Sequence, residues 1–278
     1  MALVSLKDML QKADTGRYGV GNFDVFNVEQ LIGVMQAQQE MRAPLILAYG
    51  PPFEPYSPMR HFARLLRSYA EETDLPVAIH LDHANTLDEV KQAVEAGFTS
   101  VMIDASALPY EENIQKTREV VAYCSPLGIP VEAELGHVGA EGDSDPAAYG
   151  LTDPSLAGEF VERTGIDALA VAIGNAHGVY KEKPWIRFDL LAAVRREVAV
   201  PLVLHGASGI PDEDIRRCTE LGISKINIHT ELLQSAMESI RRDIEAGSGY
   251  YDVFNHHVQA VRERTAEKMR LFGSEGKA

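Results

Sequence analysis

The chain is poor in cysteine: Cys124 and Cys218 are the only two, far apart, in segments that read as helical. That spacing supports neither a disulfide framework nor a cysteine-based zinc site. Basic charge is also scarce, with 26 Lys and Arg against 41 Asp and Glu and a net charge of −15. Nucleic acid and anionic membrane surfaces are therefore poor partners, because both demand a basic footprint. An anionic small molecule stays open, since backbone N–H groups can cradle a phosphate inside an acidic protein. No apolar run approaches the ~20 residues of a membrane span. The opening MALVSLKDML lacks the cationic start and long apolar stretch of a signal peptide, so a cytoplasmic location is expected. Low-complexity linkers are missing as well.

What the chain does have is a regular alternation. Short apolar runs at 18–23, 45–49, 77–81, 100–103, 131–135, 168–173, 202–204 and 225–228 read as strands. They are β-branched and apolar on both faces, as parallel strands covered by helices must be. Amphipathic segments separate them. Thr86 to Glu89 has the spacing of a capping box, and Asp153-Pro154 and Pro211-Asp212-Glu213 look like first helical turns. Gly97, Gly165 and Gly222 each follow a helical stretch and precede a strand, where a left-handed cap is wanted. There is no Gly-x-Gly-x-x-Gly after the first strand, so an open dinucleotide-binding sheet is disfavoured. The pattern predicts one (β/α)8 barrel domain over 1–278, with an N-terminal helix and, after Glu245, a turn and a C-terminal helical extension. The longest irregular stretch, 136–152, has the length of a functional loop.

In such a barrel the active site forms at the C-terminal strand ends. Those ends carry Asp24, Asp82-His83, Asp104, Glu134, His177, His205 and Asn227; only the second strand, ending at Tyr49-Gly50, breaks the series. A single His after a strand is most often a structural hydrogen-bonding residue. His83, His177 and His205, from strands three, six and seven, converge if the barrel closes, and three imidazoles with an open position form a catalytic zinc site. His80 is expected to point away from the neighbours of His83. Glycine-rich turns follow strands six to eight: His177-Gly178, His205-Gly206-Ala207-Ser208-Gly209 and Asn227-Ile228-His229-Thr230. Phosphate sites of these barrels recur after strands seven and eight, and Ser208 and Thr230 add hydroxyl donors. Tight βα turns would also use such glycines.

Six ordered phrases together carry a resemblance: HLDHA (80–84), SVMIDAS (100–106), VEAELG (131–136), AVAIGNAHG (170–178), LVLHGASG (202–209) and KINIHTEL (225–232). They resemble the class II, metal-dependent fructose-bisphosphate and tagatose-bisphosphate aldolases, most closely the shorter tagatose type, over essentially the whole chain. The resemblance implies reversible retro-aldol cleavage of a phosphorylated ketose, of the fructose or tagatose 1,6-bisphosphate type, to dihydroxyacetone phosphate and an aldehyde. By position, His83, His177 and His205 match the catalytic zinc ligands. Asp82 matches the acid–base group that exchanges a proton with the C4 oxygen. Asp104 and Glu134 match positions that hold a second divalent metal or a monovalent cation. Gly178, Gly206, Ala207, Ser208, Asn227, His229 and Thr230 match the dihydroxyacetone-phosphate site. Relatives form dimers or tetramers, so a homo-oligomer is expected, with the C-terminal helix pairing and Arg262, Arg264 or Arg270 reaching a neighbour's site.

The residue types suit that chemistry on their own account. Aldol cleavage leaves a carbanion beside a carbonyl, which a Lewis acid on neutral histidines stabilises while a carboxylate moves the proton. Lys181 and Lys225 could serve a Schiff-base route, but neither explains three histidines. A barrel hydrolase using Asp82 on a zinc-bound water, and a non-catalytic subunit, are the weaker readings.

The chain departs from the family in three places. Family members carry Gly-x-Glu-Asp after strand five, whereas this chain reads Gly139-Ala140-Glu141-Gly142-Asp143, which makes Glu141 the candidate loop base. Phe23-Asp24 replaces Phe-Asn, and Ala48-Tyr49-Gly50 replaces a stretch whose Ser or Thr binds the distal phosphate. Asp24 thus joins the candidate substrate-binding residues. Both of these changes fall on the aldehyde side, so the aldehyde is expected to differ from glyceraldehyde 3-phosphate. The inositol-catabolic type, acting on a sugar-acid phosphate, is the nearest alternative.

Overall fold

The computed structural model describes residues 3–139 and 150–278. Eight parallel strands close into a barrel in sequential order. They are β1 (Val20–Asp24), β2 (Leu45–Tyr49), β3 (Val77–Ala84), β4 (Ser100–Ile103), β5 (Val131–Leu135), β6 (Ala168–Val171), β7 (Leu202–Leu204) and β8 (Ile223–Ile228). Each strand is followed by a helix, in order α2 (Val28–Met41), α3 (Met59–Glu72), α4 (Leu87–Ala96), α5 (Tyr110–Cys124), α6 (Pro154–Thr164), α7 (Phe188–Glu197), α8 (Asp212–Glu220) and α9 (Thr230–Ala246). Helix α1 (Leu6–Gly16) precedes the barrel and α10 (Tyr250–Leu271) follows it. The expected capping box is present at Thr86 and Glu89, and Gly97 and Gly165 cap α4 and α6 in the left-handed conformation. Both cysteines are buried and free. No helix is long and apolar enough to cross a membrane.

Strand alternation sorts the side chains into two cores. Leu45, Leu47, Val77, Ile79, Leu81, Val101, Val131, Leu169, Leu202 and Ile226 point outward and pack under the helices. Val20, Ile46, Ala78, Met102, Ala168, Ala170 and Val203 point inward and are plugged from below by Leu6, Met9, Leu10 and Ala13 of α1. The inner core is apolar only in its lower half. Further along the strands the same alternation places Asn22, Asp24, His80, Asp82, Ser100, Glu132, Glu134, Lys225 and Asn227 inside, each at most 7% exposed. Buried polar groups need internal partners. The upper barrel is therefore a polar network resting on an apolar plug.

Helix α10 lies across α2 and α9. Gly33 permits this approach, because a Cβ there would meet Val258 O at 2.8 Å and Val261 Cβ at 2.9 Å. The tail then pins the barrel base, with Gly276 N–H and Ala278 N–H donating to Met41 O and Arg42 O. Arg262 and Arg270 pair with Glu40, and Arg264 with Glu231 and Glu267, all within the chain.

Candidate active site

Two consecutive residues of β3 reach the barrel mouth, which a regular strand forbids. Asp82 points inward by alternation, so His83 should point out. His83 instead adopts a left-handed backbone, φ +50°, and the register with β4 shifts between Leu81 and Ala84. For a non-glycine residue this costs on the order of 1–3 kcal/mol. The result is that carboxylate and imidazole share one site.

His83 meets His177 and His205 there, with ring centroids 4.9, 4.6 and 5.8 Å apart and planes nearly perpendicular. One nitrogen from each lies within 4.8 Å of the others. The remaining nitrogen of each is committed elsewhere. His83 Nδ1 faces Asp104 Oδ2 at 2.9 Å, His177 Nδ1 faces the Gly139 carbonyl at 3.1 Å, and His205 Nε2 faces Glu132 Oε1 at 2.8 Å. These acceptors take an N–H, so the lone pairs fall on His83 Nε2, His177 Nε2 and His205 Nδ1. His177 Nε2 is buried without a protein partner, and His205 Nδ1 and His83 Nε2 stand 2.8 Å apart. Two nitrogens this close share a cation, either a proton or a metal ion, and the three-nitrogen donor set fits a divalent metal. Burial, helped by His83 and His205, pushes His177 down to about 3, so its imidazole is neutral as a ligand must be. Burial opposes charge on His83, yet Asp82 and Asp104 overcome it and hold it up at about 10, so without a metal a proton sits on its Nε2 and is shared with His205 Nδ1, and a metal ion takes that proton's place.

Asp82 sits beside this centre with its Oδ2 3.8 Å from His83 Nε2. Asn227 Nδ2 donates to it at 3.0 Å, and Lys225 Nζ lies 3.8 Å away. Burial raises an isolated carboxyl, but His83 and Lys225 outweigh burial and hold Asp82 well below its ordinary range. Asp82 is ionised. Asp24, pushed up by burial and then by Asp82, is its less acidic neighbour. Glu134 accepts from Val138 N–H at 2.8 Å and, with His83 and Asp104, forms a second cluster able to hold a cation. Burial and then Asp104 push Glu134 up to about 8.

The mouth is a cavity of about 380 Å³ that contains Asp82, His83, Asp104 and His177. Gly178, Gly206, Ser208, Asn227, His229 and Thr230 line it, joined by Asp24, Gly50, Pro52 and Phe53. Three sequence expectations are corrected here. Tyr49 does not face the cavity: it is fully buried on the outer side of β2, its hydroxyl bonded to Ser57 O at 2.8 Å and its ring against Phe62 and Phe98. The last residue of a strand keeps the alternation, and Tyr49 falls on the outward parity. His80 does not point away from Asp82 but shares its inward face two residues earlier, with Nε2 3.7 Å from Asp82 and from Glu132. Ala207 packs in the outer core and does not line the cavity. Glu141 lies outside the described residues.

Class II fructose-bisphosphate aldolase is the family whose model matches this arrangement, over residues 4–277. The chain belongs to that family. Its members are metal-dependent carbon–carbon lyases, and this one is an aldolase. It is similar to YdjI of Escherichia coli (strain K12), 46% identical over 96% of each chain. The crystal structure of that aldolase superposes with a TM-score of 0.91, 43% identity and 99% of each chain covered. It is 41% identical to the fructose-bisphosphate aldolase of Geobacillus stearothermophilus, over 100% of this chain and 99% of the relative. Identity is also 41% to the 6-phospho-5-dehydro-2-deoxy-D-gluconate aldolase of Halalkalibacterium halodurans, with the same coverage.

Sequence reading did not single out several residues of this aldolase's site. Glu132, His137, Phe53 and the partnership of Lys225 with Glu132 emerge only in three dimensions. Glu132 stands two residues before Glu134, so strand parity was its one available signal. Phe53 stacks on Phe26 at 5.0 Å and lies 5.3 Å from the His229 ring, forming an apolar wall beside Asp24.

Gly206 is the tightest point of the site. A Cβ there would lie 2.2 Å from Ala176 O and 3.1 Å from His177 N, at φ +59°. The Tyr180 hydroxyl holds these two turns together, accepting from Ala176 N–H at 2.7 Å and donating to Gly206 O at 2.9 Å. Gly206→Ala forces apart the backbones that carry His177 and His205. We expect at least a tenfold weaker metal affinity, about 1.4 kcal/mol, together with a lower Tm. Titration with zinc and thermal unfolding check both, and an unchanged affinity would mean that the turns do not set the centre.

Proposed function

We propose that this aldolase catalyses reversible retro-aldol cleavage of a ketose 1-phosphate, giving dihydroxyacetone phosphate and an aldehyde that carries no phosphate near the metal. The observation that carries the reading is the asymmetry of the cavity. One half is lined by Gly178, Gly206, Ser208, Asn227 and Thr230, which suit a phosphate. The other is lined by Asp24, Gly50, Pro52 and Phe53, and among the described lining residues there is no Lys or Arg. A second phosphate at that end would face a carboxylate and an aromatic wall, without the glycine-rich turns that offer backbone N–H groups to the first.

His83, His177 and His205 are the residues that would hold the metal, and an all-nitrogen set with an open position favours zinc. Bound there, the metal supplies Lewis-acid polarisation of the ketose carbonyl. Asp82 takes the C4 hydroxyl proton as the C3–C4 bond breaks, and the bonding electron pair stays on the dihydroxyacetone-phosphate carbon. Asn227 orients Asp82 through its Nδ2 contact at 3.0 Å. Glu141 is the proposed group that returns a proton to that carbon. Asp104 orients His83 and, with Glu134, offers a second cation site. A hexulose 1,6-bisphosphate and a deoxygluconate phosphate are the competing substrates, as the names of the relatives at 41% identity suggest.

The test is a retro-aldol assay on matched sugars. Fructose 1-phosphate should be cleaved with kcat/KM equal to or above that for fructose 1,6-bisphosphate. A tenfold or larger preference for the bisphosphate, about 1.4 kcal/mol of differential binding, would sink the reading of the aldehyde end. Absence of dihydroxyacetone phosphate from every ketose phosphate tested would sink the reaction itself.

A further inference from the structure

Below the three histidines the barrel holds a second, fully interior cluster. His80, Asp82 and Glu132 bring one ligand-type atom each within 4.8 Å of one another, all three buried. Two carboxylates in that space require a cation. The chain supplies its own: Lys225, 0% exposed, projects inward from β8 and places Nζ 2.9 and 3.1 Å from the two oxygens of Glu132 and 3.8 Å from Asp82 Oδ1. His80 completes the cluster, held by Ser100 Oγ at 2.9 Å on its Nδ1. Lys225 does not line the cavity. Its amine lies against Glu132, behind the cavity lining.

The oxygen of Glu132 that Lys225 meets at 3.1 Å is the one facing His205 Nε2 at 2.8 Å. That contact places the proton on Nε2 and turns Nδ1 to the metal position. We propose that Lys225 is a positioning residue of the metal centre: its ammonium is the built-in counter-ion that holds the Glu132 carboxylate against His205. Lys225 thereby decides which nitrogen of His205 faces the metal. Without the ammonium, Glu132 and Asp82 confront each other across the barrel interior, and Glu132 relieves this by taking up a proton or turning away, either of which weakens its hold on the His205 N–H.

The inference rests on the metal-centre reading above, and the test separates the two. Wild type, Lys225→Met, Glu132→Gln and the double variant are stripped of metal. Zinc affinity is then measured by competition with a chromophoric chelator, and the visible spectrum of each protein is recorded with cobalt(II). Lys225→Met should lose roughly 10–100-fold in affinity and shift the cobalt bands, which report ligand geometry. Adding Glu132→Gln should recover most of that loss, because the amide oxygen still accepts from His205 and the second carboxylate charge facing Asp82 is gone. A folded Lys225→Met protein with wild-type affinity and spectrum overturns the inference, as do losses that simply multiply in the double variant. Should Lys225→Met not fold, the double variant decides: metal affinity near wild type supports the inference, and a folded protein without metal binding overturns it. A wild-type chain that binds neither metal removes the metal-centre reading and this inference together.

Discussion

Replacing Asp82 by Asn should reduce kcat for retro-aldol cleavage by roughly 10²–10⁴-fold while leaving the protein folded and metal-loaded. That range is about 3–5 kcal/mol of transition-state stabilisation. The substitution is nearly isosteric, and Asn227 can still hydrogen-bond to the amide. It removes only the group able to take the C4 hydroxyl proton. The histidine nitrogens keep their partners Asp104, Gly139 and Glu132, so metal content should hold. The measurement is steady-state release of dihydroxyacetone phosphate from the substrate used for wild type, with metal content determined on the same sample. A kcat within tenfold of wild type would mean that the proton leaves by another route. Loss of metal in step with loss of rate would make Asp82 a structural support of the centre.

Removing the metal should abolish turnover, and zinc should restore it. Three neutral imidazoles and no thiolate leave a bound cation's charge little offset, which is what polarisation of a carbonyl needs. The apo protein must also keep His177 Nε2 buried without a protein partner. Binding to the folded state alone then adds stability: at a hundredfold excess over Kd the gain is about 2.7 kcal/mol. For a barrel of this size that corresponds to a rise in Tm of roughly 5–10 °C. Chelation, readdition and thermal unfolding on one preparation test all of this. Full activity in a sample proven free of metal would redirect attention to a lysine, and borohydride trapping would then reveal a Schiff base.

Much of the site was legible in the chain because a barrel turns strand ends into a ring. Once eight runs are read as parallel strands, Asp24, Asp104, Glu134 and Asn227 are brought to one mouth by parity and topology alone, whatever their partners. The same logic misjudged Tyr49, which follows the outward parity of Leu45 and Leu47 into the helix layer. It also misjudged His80, which shares the inward parity of Asp82. In both cases strand alternation, and not nearness to a motif, decides which way the side chain points.

The sequence by itself determined the barrel, the family and the three candidate metal-ligand histidines, because hydrophobic period, glycine caps and strand-end polar residues are local signals. Only the tertiary structure decided how that centre is held. His83 shares the mouth with Asp82 through a left-handed backbone that no local propensity favours. Glu132 meets His205 across 73 residues and Lys225 across 93. Contacts of that kind depend on strand register and barrel closure, which bring distant strands to one depth, and no window of the chain contains them.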